Sequence, residues 1–239
     1  TIEMAALDNN HNYGLLNGPD GHKISVHHNL FAHNLNRNPA IANGPADVRN
    51  NVAYNVRHGF VHHNPATGFF NIIGNTYKQG PNDSLIPFFF DDEAGNGPDV
   101  LSYYLRDNYI DDPGDYVGAV DNPWIVPAVH PSFESLGKDE TFRSTSEYDY
   151  TIDTPDYVAV TTQTSQEAYL IVLARAGAFP RDSVTRTSVA ETQARAGSWG
   201  ALIPADLMQG LAVTAPPADN DNDGMADDWE LANGLDPAD

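Results

Sequence analysis

The 239 residues carry 33 acidic and 12 basic side chains, a formal net charge of −21 at pH 7, and no cysteine. That balance excludes a basic nucleic-acid-binding stripe, and the missing cysteine excludes disulfides, thiolate metal sites and cysteine nucleophiles. Hydrophobic residues make up 41% of the chain, enough for a sizeable core, yet no apolar run approaches the ~18 residues of a membrane span.

Residues 1–160 read as strands. Short β-type runs follow one another at 23–31, 47–56, 68–77 and 100–110. Each holds an Asn followed by a strand-like pair: Asn29-Leu30-Phe31, Asn51-Val52-Ala53, Asn75-Thr76-Tyr77 and Asn108-Tyr109-Ile110. The intervals are 22, 24 and 33 residues. Turn formers separate the runs, as in Asn43-Gly44-Pro45, Asn64-Pro65 and Gly80-Pro81-Asn82, and no helix-period segment intervenes. Strands recurring in this way predict a coil of parallel strands. An Asn at each bend can bond the backbone and the Asn of the next turn, which predicts a ladder along the coil. Ordinary turn Asn is the alternative.

Residues 83–99 read as a loop around Pro87-Phe88-Phe89-Phe90. The three Phe are expected in the core with one docking contact; a sugar-stacking platform is the alternative. Residues 111–160 are rich in Pro, Asp and Tyr and show little periodicity, with Asn122-Pro123-Trp124 expected at an edge of the coil.

Residues 161–211 read as a helical extension. Thr164-Ser165-Gln166-Glu167 is a capping box, the following apolar run to Ala176 is a helix, and Gly177 is its stop. A second amphipathic stretch spans about 183–196 and ends at Gly197. Both helices are expected on the side or end of the coil, where an open sheet needs cover. Residues 212–218, with two Pro, form a linker.

Residues 219–239 form a separate unit. The run 219–230 fits a twelve-residue calcium loop, with ligands at Asp219, Asp221, Asp223, the Met225 carbonyl, Asp227 and Glu230, and Gly224 at the turn. Ca²⁺ takes about 6–8 hard oxygens, and the glycine lets the chain wrap around the ion. A solvated acidic tail is the alternative. The loop resembles the Asp-rich calcium repeats of thrombospondin type 3 and dockerin modules, here in one copy, so a structural clip is the expected role.

Val26-His27-His28-Asn29-Leu30-Phe31, then Arg37-Asn38-Pro39, then Val48-Arg49-Asn50-Asn51-Val52-Ala53-Tyr54-Asn55 resemble polysaccharide lyase family 1, the pectate lyases. The segments 11–16, 71–81 and 177–182 agree in the same order, so the resemblance covers roughly residues 1–199. It implies an all-β fold, a right-handed parallel β-helix carrying the C-terminal helices and the small calcium-loop tail. It implies calcium-dependent β-elimination on a 4-linked polyuronate, pectate first, by a secreted enzyme. In this chemistry Ca²⁺ binds the uronate carboxylate and stabilises charge as the C5 proton leaves. The family's base is an Arg before X-Pro, and Arg37 matches it. Arginine holds its proton to above pH ~12, so a neutral form needs a nearby cation and desolvation. Bidentate clamping of a carboxylate is the alternative role.

The remaining site expectations follow from the same resemblance. His11, Asn12, His28 and Arg49 are candidate substrate contacts. Many family members have a second Arg just past the base; here Ala40-Ile41-Ala42 stands there, leaving Arg49 or Arg57 to replace it. His27 and His28 alternate along a strand, so one at most faces a groove. His62-His63 lacks a third ligand spaced for zinc. The family's catalytic calcium ligands precede the segment matching Thr1-Ile2-Glu3. A second Ca²⁺ and the N-terminal half of the coil, as a separate chain, are therefore expected from outside these residues. The expected partners are that half and an acidic polysaccharide, with no nucleic acid and no membrane. A non-catalytic β-helix that binds polysaccharide at a surface is the alternative. A hydrolase lacks its pair of acid and base carboxylates in one turn.

Overall fold

The computed structural model describes residues 2–3, 12–62, 67–82, 84–90, 100–125, 137–199, 208, 211–212 and 215–238. His11, His63 and the Asn64-Pro65 turn lie outside the described residues. Two compact units divide the chain, Thr1–Gln209 and Gly210–Asp239.

In the first unit, strands of two to six residues are too short to bury anything alone, and they stack. Sheet one holds β3 (Ile24–His27), β6 (Ala46–Arg49), β9 (Gly68–Ile73) and β12 (Leu101–Arg106). Sheet two holds β1 (Ile2–Glu3), β4 (Leu30–Ala32), β7 (Val52–Tyr54), β10 (Thr76–Lys78), β13 (Asn108–Asp112) and β14 (Tyr116–Val120). Sheet three holds β2 (Leu16–Asn17), β5 (Ala40–Ile41), β8 (His58–His62) and β11 (Ile86–Phe90). From β3 to β13 the chain visits sheets one, two and three in rotation, and every pairing is parallel except β13 with β14. That arrangement is consistent with a parallel β-helix.

The register makes columns of like side chains. Val26, Val48, Ile72 and Leu105 align in sheet one; Phe31, Ala53, Tyr77 and Ile110 align in sheet two. Both columns are buried in one core with Ile41, Phe60, Phe88 and Phe90 from sheet three. Phe88 and Phe90 are fully buried, while Phe89 is half-buried and meets the His58 ring edge at 6.0 Å. The Phe run is thus mainly core. His62 also points inward: its Nδ1 is 2.5 Å from the Tyr103 hydroxyl and its Nε2 is 2.9 Å from the Ala42 carbonyl.

The predicted asparagine ladder is present. Asn29 Nδ2 donates to Asn51 Oδ1 (3.1 Å), Asn51 Nδ2 to Asn75 Oδ1 (3.0 Å), and Asn75 Nδ2 to Asn108 Oδ1 (2.9 Å). The residues before the rungs, His28, Asn50, Gly74 and Asp107, all have left-handed backbones (φ 51° to 62°). This repeated bend turns the chain from sheet one to sheet two. Gly74 answers a further demand there, since a Cβ would meet Asn50 Nδ2 and the Gln163 carbonyl.

At β4 and β7 sheet two is apolar on both faces. Leu30, Ala32, Val52 and Tyr54 point away from the core onto α1 (Ser165–Arg175) and α2 (Ser183–Ala194). The helices therefore cover the side of the coil. The capping box at Thr164 and Glu167 forms as expected. Helix α2 stops at Arg195, whose φ is 56°, two residues before the expected glycine. The second unit contains α3 (Asp227–Asn233), closed by Gly234 with φ 75°. No helix among the described residues is long and apolar enough to cross a membrane.

Candidate active site

Arg37 lies on the bend from β4 in sheet two to β5 in sheet three. Its backbone is left-handed (φ 63°) and is held from both neighbouring turns. The Leu15 N–H donates to the Arg37 carbonyl at 2.9 Å, and the Asn38 N–H donates to the Gly59 carbonyl at 2.9 Å. Asn38 is buried and fixes the bend through its side chain, donating to the His58 carbonyl at 2.9 Å. A Cβ at Gly14 would collide with Asn38 Oδ1 and the Arg37 carbonyl, so the preceding turn approaches this closely because residue 14 is glycine. The half-buried guanidinium stacks on Tyr13, with Cζ 3.9 Å from the ring centroid. The ring fixes the plane of the fork and favours a cation.

Of the other expected contacts, Asn12 lies under the Arg37 bend, while His28 and Arg49 lie elsewhere. Asn12 is 4% exposed, and its carbonyl takes the Asn36 N–H at 3.1 Å, so it is part of the floor under the bend. His28 sits at a different corner, between sheets one and two. It has left the strand, and its left-handed backbone swings its ring against His27 instead of to the opposite face. His28 Nε2 is 2.7 Å from Gln163 Oε1, and the two histidine Nδ1 atoms are 3.0 Å apart. Donation from Nε2 leaves His28 Nδ1 to accept from His27. Burial, then the neighbouring His28, lowers the pKa of His27.

Arg49 is a buried tie. Its Nε reaches both Asp47 carboxylate oxygens (2.6 and 2.8 Å), Nη1 donates to Thr162 Oγ1 (2.7 Å) and Nη2 to Glu147 Oε1 (2.9 Å). Burial opposes its charge, but the bonds to Asp47 and then Glu147 outweigh that and hold its pKa above the ordinary arginine range. Burial raises the Asp47 pKa. The fork of Arg49, expected as a substrate contact, is occupied inside the fold by Asp47, Thr162 and Glu147. Arg57 is placed differently: its N–H donates to the Leu35 carbonyl at 2.9 Å, which puts it on the Arg37 bend one turn further along.

In the second unit, oxygens of Asp219, Asp221 and Asp223 lie within 4.8 Å of one another. The loop is folded by Asx bonds: the Gly224 N–H donates to Asp219 Oδ2 (3.2 Å), Asp223 N–H to Asp221 Oδ1 (3.2 Å), Met225 N–H to Asp223 Oδ1 (2.7 Å) and Asn220 N–H to Asp227 Oδ1 (2.8 Å). Asp219 Oδ1, Asp221 Oδ2 and Glu230 Oε2 are buried without a hydrogen-bond partner among the described residues. Glu230 itself is 1% exposed. Burial, then the charges of Asp221, Asp223, Asp227 and Asp219, push its pKa up. Orphaned, mutually repelling carboxylate oxygens fit a hard divalent cation.

The chain matches no protein-family model. It is 31% identical over 249 residues to probable pectate lyase C of Aspergillus terreus, an overlap of 99% of this chain and 53% of that protein. Probable pectate lyase C of Aspergillus flavus is 31% identical over 236 residues, and that of Aspergillus oryzae 30% over 236, each overlap taking 95% of this chain and 51% of the relative. The chain is thus similar along nearly its whole length to these proteins, and it spans about half the length of the curated relatives it matches.

Proposed function

We propose that this chain is part of a secreted, pectate lyase-like polysaccharide lyase with a right-handed parallel β-helix fold. It cleaves a 4-linked polyuronate, pectate first, by calcium-dependent β-elimination. The observation that carries the reading is Arg37, half-exposed on a bend clamped from both sides, in a chain similar to proteins named probable pectate lyase C. Arg37 takes the C5 proton. The C5–H and C4–O4 bonds break, the C4–C5 double bond forms, and the O4 oxygen leaves and takes a proton from solvent water to become a free hydroxyl end. Tyr13 holds the guanidinium plane against the substrate face. Ca²⁺ on the uronate carboxylate would stabilise the charge that develops as the proton leaves.

In this reading that cation is held by residues outside this chain, on an N-terminal half that stacks on β1, β2 and β3. The outer edges of these strands have no strand partner among the described residues. Asp219, Asp221, Asp223, the Met225 carbonyl, Asp227 and Glu230 bind a separate, structural Ca²⁺. The test is ultraviolet absorbance of unsaturated uronate from polygalacturonate with Ca²⁺, using the protein completed by its N-terminal half. Arg37→Ala should abolish the signal. Inactivity of the completed protein on pectate and other polyuronates would end the claim.

The Tyr13 stack favours a second reading, in which Arg37 stays a cation and clamps a polymer carboxylate without turnover. Binding of polygalacturonate with no rise in absorbance would select it.

A further inference from the structure

A cleft lies between sheet two and α1, away from the Arg37 bend. Its volume is about 320 Å³, that of a small-ligand site, and it is lined by Thr76, Lys78, Tyr109, Asp111 and the α1 residues Gln166, Tyr169 and Leu170. Register pairs Thr76 with Tyr109 and Lys78 with Asp111 across β10 and β13, while Tyr77 and Ile110 between them point into the core. Gln166, Tyr169 and Leu170 share one face of α1 by helical spacing.

Lys78 is the unusual member. It is 7% exposed, and among the described residues its ammonium has one hydrogen bond, to the Tyr169 hydroxyl at 3.0 Å, with the centroid of the Tyr169 ring 5.2 Å away. Asp111 Oδ2 is 4.0 Å away, too far for a hydrogen bond, and Asp111 Oδ1 is held by Arg195 Nη2 at 2.6 Å. An ammonium has three donors, and two of those on Lys78 find no hydrogen-bond partner among the described residues. A guest with an acceptor oxygen meets that demand.

The surroundings narrow the guest. Asp111 beside the ammonium disfavours a dianion. Two tyrosines, a threonine and a glutamine suit hydroxyl groups and a flat carbon face. We propose that this cleft binds a small sugar acid, with its carboxylate on Lys78 Nζ and its ring between Tyr109 and Tyr169. Arg37 takes no part, so the site stands or falls separately from the lyase activity.

The chain has three lysines, Lys23, Lys78 and Lys138, so ¹³C labelling at lysine Cε gives a readable spectrum of the intact protein. Titration with monomeric galacturonate should move one lysine signal, absent from the Lys78→Arg variant. Galactose, acetate and phosphate at equal concentration should leave it in place or move it far less. Lys78→Met should weaken one component of galacturonate binding about tenfold or more in calorimetry, and Arg37→Ala should leave the response of the Lys78 signal to galacturonate in place. If Lys78→Met fails to fold, the wild-type titration still decides. A Lys78 signal indifferent to galacturonate, or equally responsive to galactose or phosphate, overturns the proposal. Loss of polymer cleavage with the Lys78 response intact would refute the lyase reading alone.

Discussion

Asn51 gives both its backbone N–H and its side-chain amide to one oxygen, Asn75 Oδ1, each at 3.0 Å. Asn75 in turn donates to the Val48 carbonyl and to Asn108 Oδ1, both at 2.9 Å. Asn75→Ala strands several buried polar groups and should cost about 3 kcal/mol of stability. Asn29, at the half-buried end of the ladder, should cost about 1 kcal/mol when truncated. Equal costs in urea unfolding would show that the rungs are independent of burial.

Local signals carried most of the coil. The Asn-strand repeat and the capping box are written within a few residues, so both were legible. The β13–β14 hairpin was also written locally, as Asp112-Pro113-Gly114-Asp115 between two β-type runs, yet its Pro and Asp content reads as loop. The fate of Arg49 was not legible, because Glu147 and Thr162 lie 98 and 113 residues away and meet it only after folding. His28 misled through period-two reasoning, which fails once a residue adopts a left-handed backbone. The α1 signature indicated an amphipathic helix but not which sheet it covers.

His33 should make stability acid-sensitive. Its ring is fully buried, and burial lowers its pKa to about 4. Asn55 Nδ2 is 2.9 Å from His33 Nδ1, while Asn55 Oδ1 accepts from the Asn82 N–H. Nδ1 is therefore the acceptor, and the proton sits on Nε2, facing Glu191 Oε2 at 2.9 Å. The unfolded chain binds the histidine proton near pH 6.5 and the folded chain near 4. The contribution is complete above pH 6.5 and falls away between 6.5 and 4. Glu191, raised by burial, works in the opposite sense. His33→Gln should flatten the slope in that window, and ¹⁵N spectra should show the Nε2–H tautomer.

The tail should bind one Ca²⁺, and Glu230→Gln should weaken it on the order of tenfold or more in calorimetry. Glu230 holds a proton to higher pH than an ordinary glutamate, because of its burial and then the surrounding aspartates. Protons therefore compete with the metal early, and affinity should decline at a higher pH than for a loop of exposed carboxylates. No heat of binding, in a correctly folded sample, would leave the loop a solvated acidic turn.

Tyr13 should matter through its face and not its hydroxyl. Tyr13→Phe keeps the ring under the Arg37 guanidinium, and Tyr13→Leu removes it. A cation–π contact of this exposure contributes about 0.5–2 kcal/mol. Binding of polygalacturonate should survive in the Phe variant and weaken by roughly 2- to 30-fold in the Leu variant, where the carboxylate-clamping cation loses its support. Equal losses would assign the effect to the hydroxyl.

Arg49 and Arg57 should separate stability from binding. Arg49→Ala leaves Asp47 buried without its partner, and truncating one side of such a pair costs about 3–5 kcal/mol. Lost folding at moderate urea, with little direct effect on KM in the folded fraction, is the expected result. Arg57 lies on the bend one turn beyond that of Arg37, while Ala40-Ile41-Ala42 follow Arg37 itself. All three of those residues are fully buried, so they present no charged group to a substrate. Arg57→Ala should therefore raise KM for polyuronate several-fold while changing the urea midpoint little, and Arg57→Lys should recover part of the loss. A large drop in stability with unchanged KM would instead make Arg57 a second internal tie, like Arg49.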